Sequence, residues 1–324
     1  LRNVAIDLRA QGEFAKALAI SHDVYERSMQ AYGDDAPETL NAAHNLAVSL
    51  RLAGRFHEAR DRDQDTLGRK EIAFGPDSPL TMITRLGWLV DLRELGQYAD
   101  PQRERHPGHN HLEDLHEREL NRAELALGDL NPVTLLARRL YAVAQRKAGR
   151  HEAARVTSEL VCEQFRSRYP ETHPEVMAAE SNHAIDLRQT REGHPERLTE
   201  ARQLGAELVT RYTAALGADH PHTLTAQVNL AIAYRLLGDA QRALELDAAA
   251  HEALSRRLGP DHPSTLTAAV NLASDLYVTG DVQAALDRDL DTWHRLVKVF
   301  GDRHPTTLAC ETNLAIDLRA LGRE

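Results

Sequence analysis

The apolar positions of this chain recur at helical spacing, and the pattern itself recurs. In its clearest copy Leu224, Val228 and Ile232 fall on one face of a helix, with Leu230 and Tyr234 on another. A second run, Ala243, Leu246, Ala250 and Leu254, makes one narrow stripe. A helix apolar on two faces packs between neighbours, whereas a single stripe suits an outer layer. Glycine breaks separate the two runs at Gly12, Gly54, Gly96, Gly149, Gly238 and Gly280, and close the pair at Gly33, Gly75, Gly128, Gly217, Gly259 and Gly301. Glycine just past a periodic run ends a helix, and a proline soon after it starts the next. The pattern predicts helix A, a tight turn, helix B and a second tight turn, repeated.

Each helix A is launched by one phrase. It reads Asp219-His220-Pro221-His222-Thr223-Leu224, then Asp261-His262-Pro263-Ser264-Thr265-Leu266, then His304-Pro305-Thr306-Thr307-Leu308. Its threonine position marks Thr39, Thr81, Thr134, Val176, Thr223, Thr265 and Thr307, a period of 42 residues except for intervals of 53 after Thr81 and 47 after Val176. A fixed period in this range signals a solenoid. The expected fold is all-α, a right-handed superhelical solenoid of stacked antiparallel helix pairs. It forms one array over 1–324, with units at about 1–35, 36–77, 78–130, 131–172, 173–219, 220–261, 262–303 and 304–324. The longer intervals predict a loop at 100–110, rich in proline and glycine, and a longer A–B turn over Arg191-Glu192-Gly193-His194-Pro195. The chain begins inside a helical pattern at Leu1 and stops just after Gly322, so it reads as a piece of a longer repeat protein. Its uncapped ends are candidates for self-association.

Composition narrows the function classes. A net charge of −10 excludes a nucleic-acid footprint over the whole surface. Lysine occurs only at Lys16, Lys70, Lys147 and Lys298, so nearly all of the 39 cations are arginine. Cys162 and Cys310 read as small buried hydrophobes of a reducing compartment. With no signal peptide and no membrane-length apolar run, the expected location is cytoplasmic. No Gly-rich loop ending in Gly-Lys-Ser/Thr, no Gly-x-Ser-x-Gly and no His-Glu-x-x-His occurs, so neither an enzyme nor a cofactor is expected. His173, His220, His262 and His304 each precede a helix-starting proline and read as turn residues rather than metal ligands. The group His106, His109, His111 and His116 has better spacing but no obvious geometry, and a solvated loop is expected there.

Three polar columns run along the A helices. Asparagine recurs at Asn3, Asn45, Asn182, Asn229, Asn271 and Asn313, interrupted by Gly87 and Leu140. Four residues on come Asp7, Ser49, Asp91, Ala144, Asp186, Ala233, Asp275 and Asp317; two further on come Arg9, Arg51, Arg93, Arg146, Arg188, Arg235, Tyr277 and Arg319. Arginine lies about 160° around the helix from aspartate, so it can meet the aspartate of an adjacent unit rather than its own. The expected ladder of Asp–Arg pairs has gaps at Ser49, Ala144 and Ala233. Arg93 and Arg188 have no aspartate of this column on either neighbour and Arg9 none on its single neighbour, so these three are expected to be available to an external acid.

The phrases Asp-His-Pro, Asn-Leu-Ala, then Gly and Ala resemble the tetratricopeptide repeat in its 42-residue kinesin-light-chain-like form. More narrowly, Asn313-Leu314-Ala315-Ile316-Asp317-Leu318-Arg319-Ala320-Leu321-Gly322-Arg323 resembles actinobacterial repeat proteins of the FxSxx-COOH peptide system, as do Asp61-Arg62-Asp63-Gln64-Asp65-Thr66 and Asp287-Arg288-Asp289-Leu290-Asp291-Thr292. The resemblance implies that the A-helix face with the arginine column lines a concave groove. The expected partner is then a protein or peptide with acidic or C-terminal carboxylate groups, held over the apolar floor by Arg93, Arg188, Arg9, Arg51, Arg146, Arg235 and Arg319 with Asn45, Asn182, Asn229, Asn271 and Asn313. The alternative is a ligand-sensing or autoinhibitory arm of a nucleotide-dependent switch protein of NB-ARC or STAND type, whose ATPase domain lies outside this chain.

Overall fold

The computed structural model describes residues 1–98 and 111–323, which form fifteen α-helices and no strand. They fall into two compact units, Leu1–Pro170 and Glu171–Glu324. The first unit holds α1 (Arg2–Ala10), α2 (Phe14–Tyr32), α3 (Pro37–Leu52), α4 (Phe56–Phe74), α5 (Pro79–Glu94), α6 (His111–Leu127), α7 (Pro132–Lys147) and α8 (His151–Arg168). The second holds α9 (Pro174–Gln189), α10 (Pro195–Leu216), α11 (Pro221–Leu236), α12 (Ala240–Leu258), α13 (Pro263–Thr279), α14 (Val282–Phe300) and α15 (Pro305–Ala320). Odd-numbered helices are the A helices of the sequence pattern and even-numbered ones the B helices.

The launching phrase works as punctuation. Pro174, Pro221, Pro263 and Pro305 occupy the first helical position, where a missing N–H costs nothing. The preceding histidine sits in extended backbone as N-cap, and its Nδ1 accepts the N–H two residues on: Glu175 from His173, His222 from His220, Ser264 from His262 and Thr306 from His304. The phrase's threonine is buried each time, and in two copies it ties the new helix to what precedes it: Thr223 Oγ1 donates to the Gly217 carbonyl at 2.8 Å and Thr307 Oγ1 to that of Gly301 at 2.9 Å. Gly259 ends α12 at φ +92°, a conformation that an L side chain resists.

Most core patches join a helix A, its helix B and the next helix A, while Leu46 and Leu50 of α3 pack between α2 and α4. In the first unit Met82 and Leu86 of α5 pack with Leu120 and Ala123 of α6 and Val133, Ala137 and Leu140 of α7. In the second, Leu224 and Val228 of α11 meet Ala250 and Leu254 of α12 and Ala268 of α13. Burying one large aliphatic side chain is worth about 1.5–3 kcal/mol, so each three-helix junction is held mainly by such contacts. Cys162 and Cys310 are both buried.

The two irregular intervals resolve differently. The expected loop at 100–110 lies outside the described residues. The five extra residues after Val176 are shared between turn and helix rather than held in the turn alone. The A–B turn spans 190–194 against 53–55 in the second repeat, and α10 has 22 residues where α4, α12 and α14 each have 19. Pro195 stands at the first position of α10, which sets where the turn stops.

Candidate functional site

Arginine of one repeat meets aspartate of the next. Arg51 Nε and Nη2 on α3 donate to Asp91 Oδ1 and Oδ2 on α5 at 2.6 and 2.8 Å. Arg235 on α11 reaches Asp275 on α13 in the same way. Both aspartates are fully buried. The charge of Asp91 is disfavoured chiefly by that burial, which raises its carboxyl to about pH 6 against the pull of Arg51.

The asparagine column serves the arginines rather than a neighbouring backbone. Asn45 Nδ2 donates to Asn41 O and Asn271 Nδ2 to Thr267 O, one turn back on their own helices. This turns Asn45 Oδ1 toward Arg9 Nη2 at 3.0 Å and Asn271 Oδ1 toward Arg235 Nη2 at 3.3 Å. Asn313 Nδ2 reaches Ser274 Oγ.

A further column, on the B helices, completes each layer. It runs Ser21, Asp63, His116, Ser158, Gly205, Asp247 and Asp289 on the same ruler of 42 residues with the 53 and 47 intervals. Its side chains are buried wherever they reach the interior. Asp63 Oδ2 accepts from Arg51 Nη2 at 2.7 Å, so one guanidinium bridges two buried carboxylates. A buried polar chain continues from there: His44 lies 3.5 Å from Asp63 and 3.3 Å from Thr84 Oγ1, which accepts from Lys70 Nζ at 3.0 Å. Burial lowers the Lys70 ammonium to about pH 8. In the first repeat the same positions are Ser21 and Ser49, bonded to each other at 2.8 Å.

Two further aspartate layers likewise bring two carboxylates together, with one arginine or none. Asp247 faces Asp275, and burial together with that neighbour raises its carboxyl far above the usual range, so the pair holds a proton. In the last layer Tyr277 stands where arginine would be, and Asp289, close to Cys310 and Asp317, is raised to about pH 7 chiefly by burial.

Three layers keep the arginine and have no carboxylate at the two column positions; around Arg9 these positions are Ser21 and Ser49. Around Arg93 the partners are His116 and Ala144; around Arg188 they are Gly205 and Ala233. Arg9, Arg93 and Arg188, the three expected to be available to an external acid, each have an internal acceptor as well. Arg9 donates to Asn45 O and Oδ1, Arg93 to Glu94 Oε1 at 3.0 and 2.8 Å, and Arg188 to Asn229 O at 3.0 Å. Among the described residues, Arg9 and Arg93 have no hydrogen bond to an aspartate of the column. Arg146 and Asn182 are half-buried and Arg319 is exposed.

The absent side chains leave space at Arg188. A crevice in the second unit, with about 20 Å³ of room, is lined by Ser181, Ile185, Arg188, Gly205, Leu208 and Asn229 together with small alanines that include Ala233. That is space for one water-sized group beside a guanidinium. The first unit has a wider cleft of about 670 Å³ between α2 and α4, floored by Leu46 and Leu50 of α3. Its charges are already engaged: Arg55 with Glu58, Arg62 with Tyr25, Asp61 with Arg60 and Asp65 with Arg69. Among the described residues no group of three or more His, Cys, Asp or Glu side chains is arranged to hold a metal ion, and no helix is long and apolar enough to cross a membrane. Of the four clustered histidines, His106 and His109 lie outside the described residues, His111 opens α6, and His116 is fully buried rather than solvated.

A family model described as tetratricopeptide repeat matches residues 1–72, 175–254 and 225–292, more than half of the chain. No curated protein matches. Among solved structures, a Rap protein complexed with Competence and Sporulation Factor is 11% identical with a TM-score of 0.57, over 99% of this chain and 97% of that one. BtubC (BKLC) from P. vanneervenii is 17% identical with a TM-score of 0.52, over 77% of this chain and 92% of its own. A Podosopora anserina kinesin light chain of nearly identical TPR-like repeats is 25% identical with a TM-score of 0.48, over 60% and 90%.

Proposed function

Because the chain belongs to the tetratricopeptide repeat family, we propose that it is a non-catalytic scaffold whose A-helix groove holds a carboxylate-bearing segment of a partner protein or peptide, with Arg188 as the anchoring cation. The observation that carries this reading is the crevice at Arg188, Ser181 and Asn229, opened by Gly205 and Ala233 where other layers seat carboxylates. A guanidinium has five N–H donors in a rigid fork and can serve a backbone carbonyl and a carboxylate together. The crevice has room for one carboxylate oxygen, with Ile185, Leu208 and the alanines as its apolar wall, and the carbon chain that carries the acid would stay outside it. The complex of the Rap protein with Competence and Sporulation Factor supports the reading, since it places a bound factor on a chain of this fold.

The test is a fluorescence-anisotropy titration of the full chain with a pool of short peptides, each made with a free C-terminal carboxylate and again as the amide. Charge-assisted hydrogen bonds contribute about 1.5–3 kcal/mol, so Arg188→Gln is expected to weaken carboxylate binding roughly tenfold or more. Arg235→Gln, whose guanidinium already holds Asp275, is expected to lower stability and leave carboxylate selectivity in place. Equal binding of acid and amide forms by the unaltered protein would refute the proposal.

A further inference from the structure

We propose that the layer formed by Arg93, His116 and Ala144 binds one small monovalent anion, a halide or a carboxylate no larger than formate. The layer is built like the aspartate layers and has lost their negative charge. Arg51 sits between Asp63 of its own helix B and Asp91 of the next helix A. At the equivalent places around Arg93 stand His116 on α6 and Ala144 on α7, both buried. Ala144 omits a whole carboxylate from this position.

The polar groups left behind are unsatisfied. His116 is 0% exposed, and neither of its ring nitrogens has a hydrogen-bond partner among the described residues. Arg93 spends Nε and Nη2 on Glu94, while its Nη1 is buried without a partner among the described residues. Buried polar atoms in a native fold are satisfied, and orphans of this kind point to a bound water or ion. Charge decides between the two. Arg93 is permanently cationic and Lys147 of α7 lies near it, with the Glu94 carboxylate close to both. Burial and the Arg93 charge hold the imidazole of His116 neutral, with its folded-state value near pH 3. A neutral imidazole offers one N–H, and Arg93 Nη1 offers another. Two buried donors beside a fixed positive charge suit a small anion.

The anion can be measured directly with the full chain. The ³⁵Cl line width of sodium chloride is recorded with added protein, then titrated with sodium bromide and, separately, with sodium formate. Excess broadening that bromide abolishes is expected, and competition by formate shows that a carboxylate takes the same place. Ala144→Asp restores the carboxylate seen at Asp91 and Asp275, and this variant is expected to lose the excess broadening while keeping its helical circular dichroism. If that variant fails to fold, Arg93→Gln replaces it, with the same expected loss. Broadening that survives in the folded variant would overturn the proposal, as would neither anion binding the unaltered protein. Arg188 lies in the other unit and is untouched by these substitutions, so this result is independent of peptide binding.

Discussion

Arg51 shows how much one side chain holds. It joins Asp63 and Asp91, both fully buried, and among the described residues no other arginine or lysine bonds either carboxylate. Replacing one partner of a buried ion pair costs about 3–5 kcal/mol, because the charge left behind is unpaired. Arg51→Leu is therefore expected to lower stability by that amount in denaturant unfolding. Gly87, which interrupts the asparagine column, belongs to the same layer. A Cβ there would stand 2.6 Å from Asp63 Oδ2 and 2.9 Å from Arg51 Nη2, so Gly87→Ala is expected to cost about 1–3 kcal/mol. Asp289 gives a pH signature. Its folded-state value, about 7, lies above the ordinary carboxylate value, so the native state binds the proton more tightly than the unfolded chain. Its contribution to stability is complete below about pH 4 and is lost as pH rises through 7. Unfolding measured from pH 4 to 8 is expected to show that decline in the unaltered protein and a flatter profile in Asp289→Asn.

At the scale of the helix, stability rests on ends as well as faces. The four histidine caps do with Nδ1 what Ser or Asn oxygens do elsewhere, and Asn131 does the same for Val133. His262→Ala is expected to cost about 1 kcal/mol and His262→Asn a few tenths at most, read as shifts in the thermal midpoint. These ends were legible from the sequence because His-Pro and Gly recur at fixed offsets and each has one local meaning. The insertion after Val176 was less legible, because glycine and proline there marked a turn without showing that three of the five residues would lengthen α10. Local signals fix where a helix starts; how far it runs depends on what it packs against.

At the scale of the molecule, the repeat was fully visible in the 42-residue period, and with it the aspartate and arginine columns. The column on the B helices was not. It changes from Ser to Asp to His to Gly, so it has no shared residue type to notice. What it preserves is a relation: Ser21 faces Ser49, Asp63 shares Arg51 with Asp91, and Gly205 accompanies Ala233. Such a relation becomes visible only when the helices are placed side by side. The same placement shows that Arg93 and Arg188, singled out by gaps in one column, also face a gap or a neutral group in the other. An arginine layer that lacks carboxylates is, on this account, where the protein meets an outside anion.

Ala233→Asp tests that account most directly. It puts a carboxylate beside Arg188 where Asp275 stands beside Arg235, in a position that is 2% exposed. Peptides with free and amidated C-termini are titrated into both proteins by anisotropy, alongside thermal unfolding. The expected result is a preference for the free carboxylate in the unaltered chain, its loss in Ala233→Asp, and an unfolding midpoint that is unchanged or higher. A folded Ala233→Asp protein that keeps the full preference would contradict it.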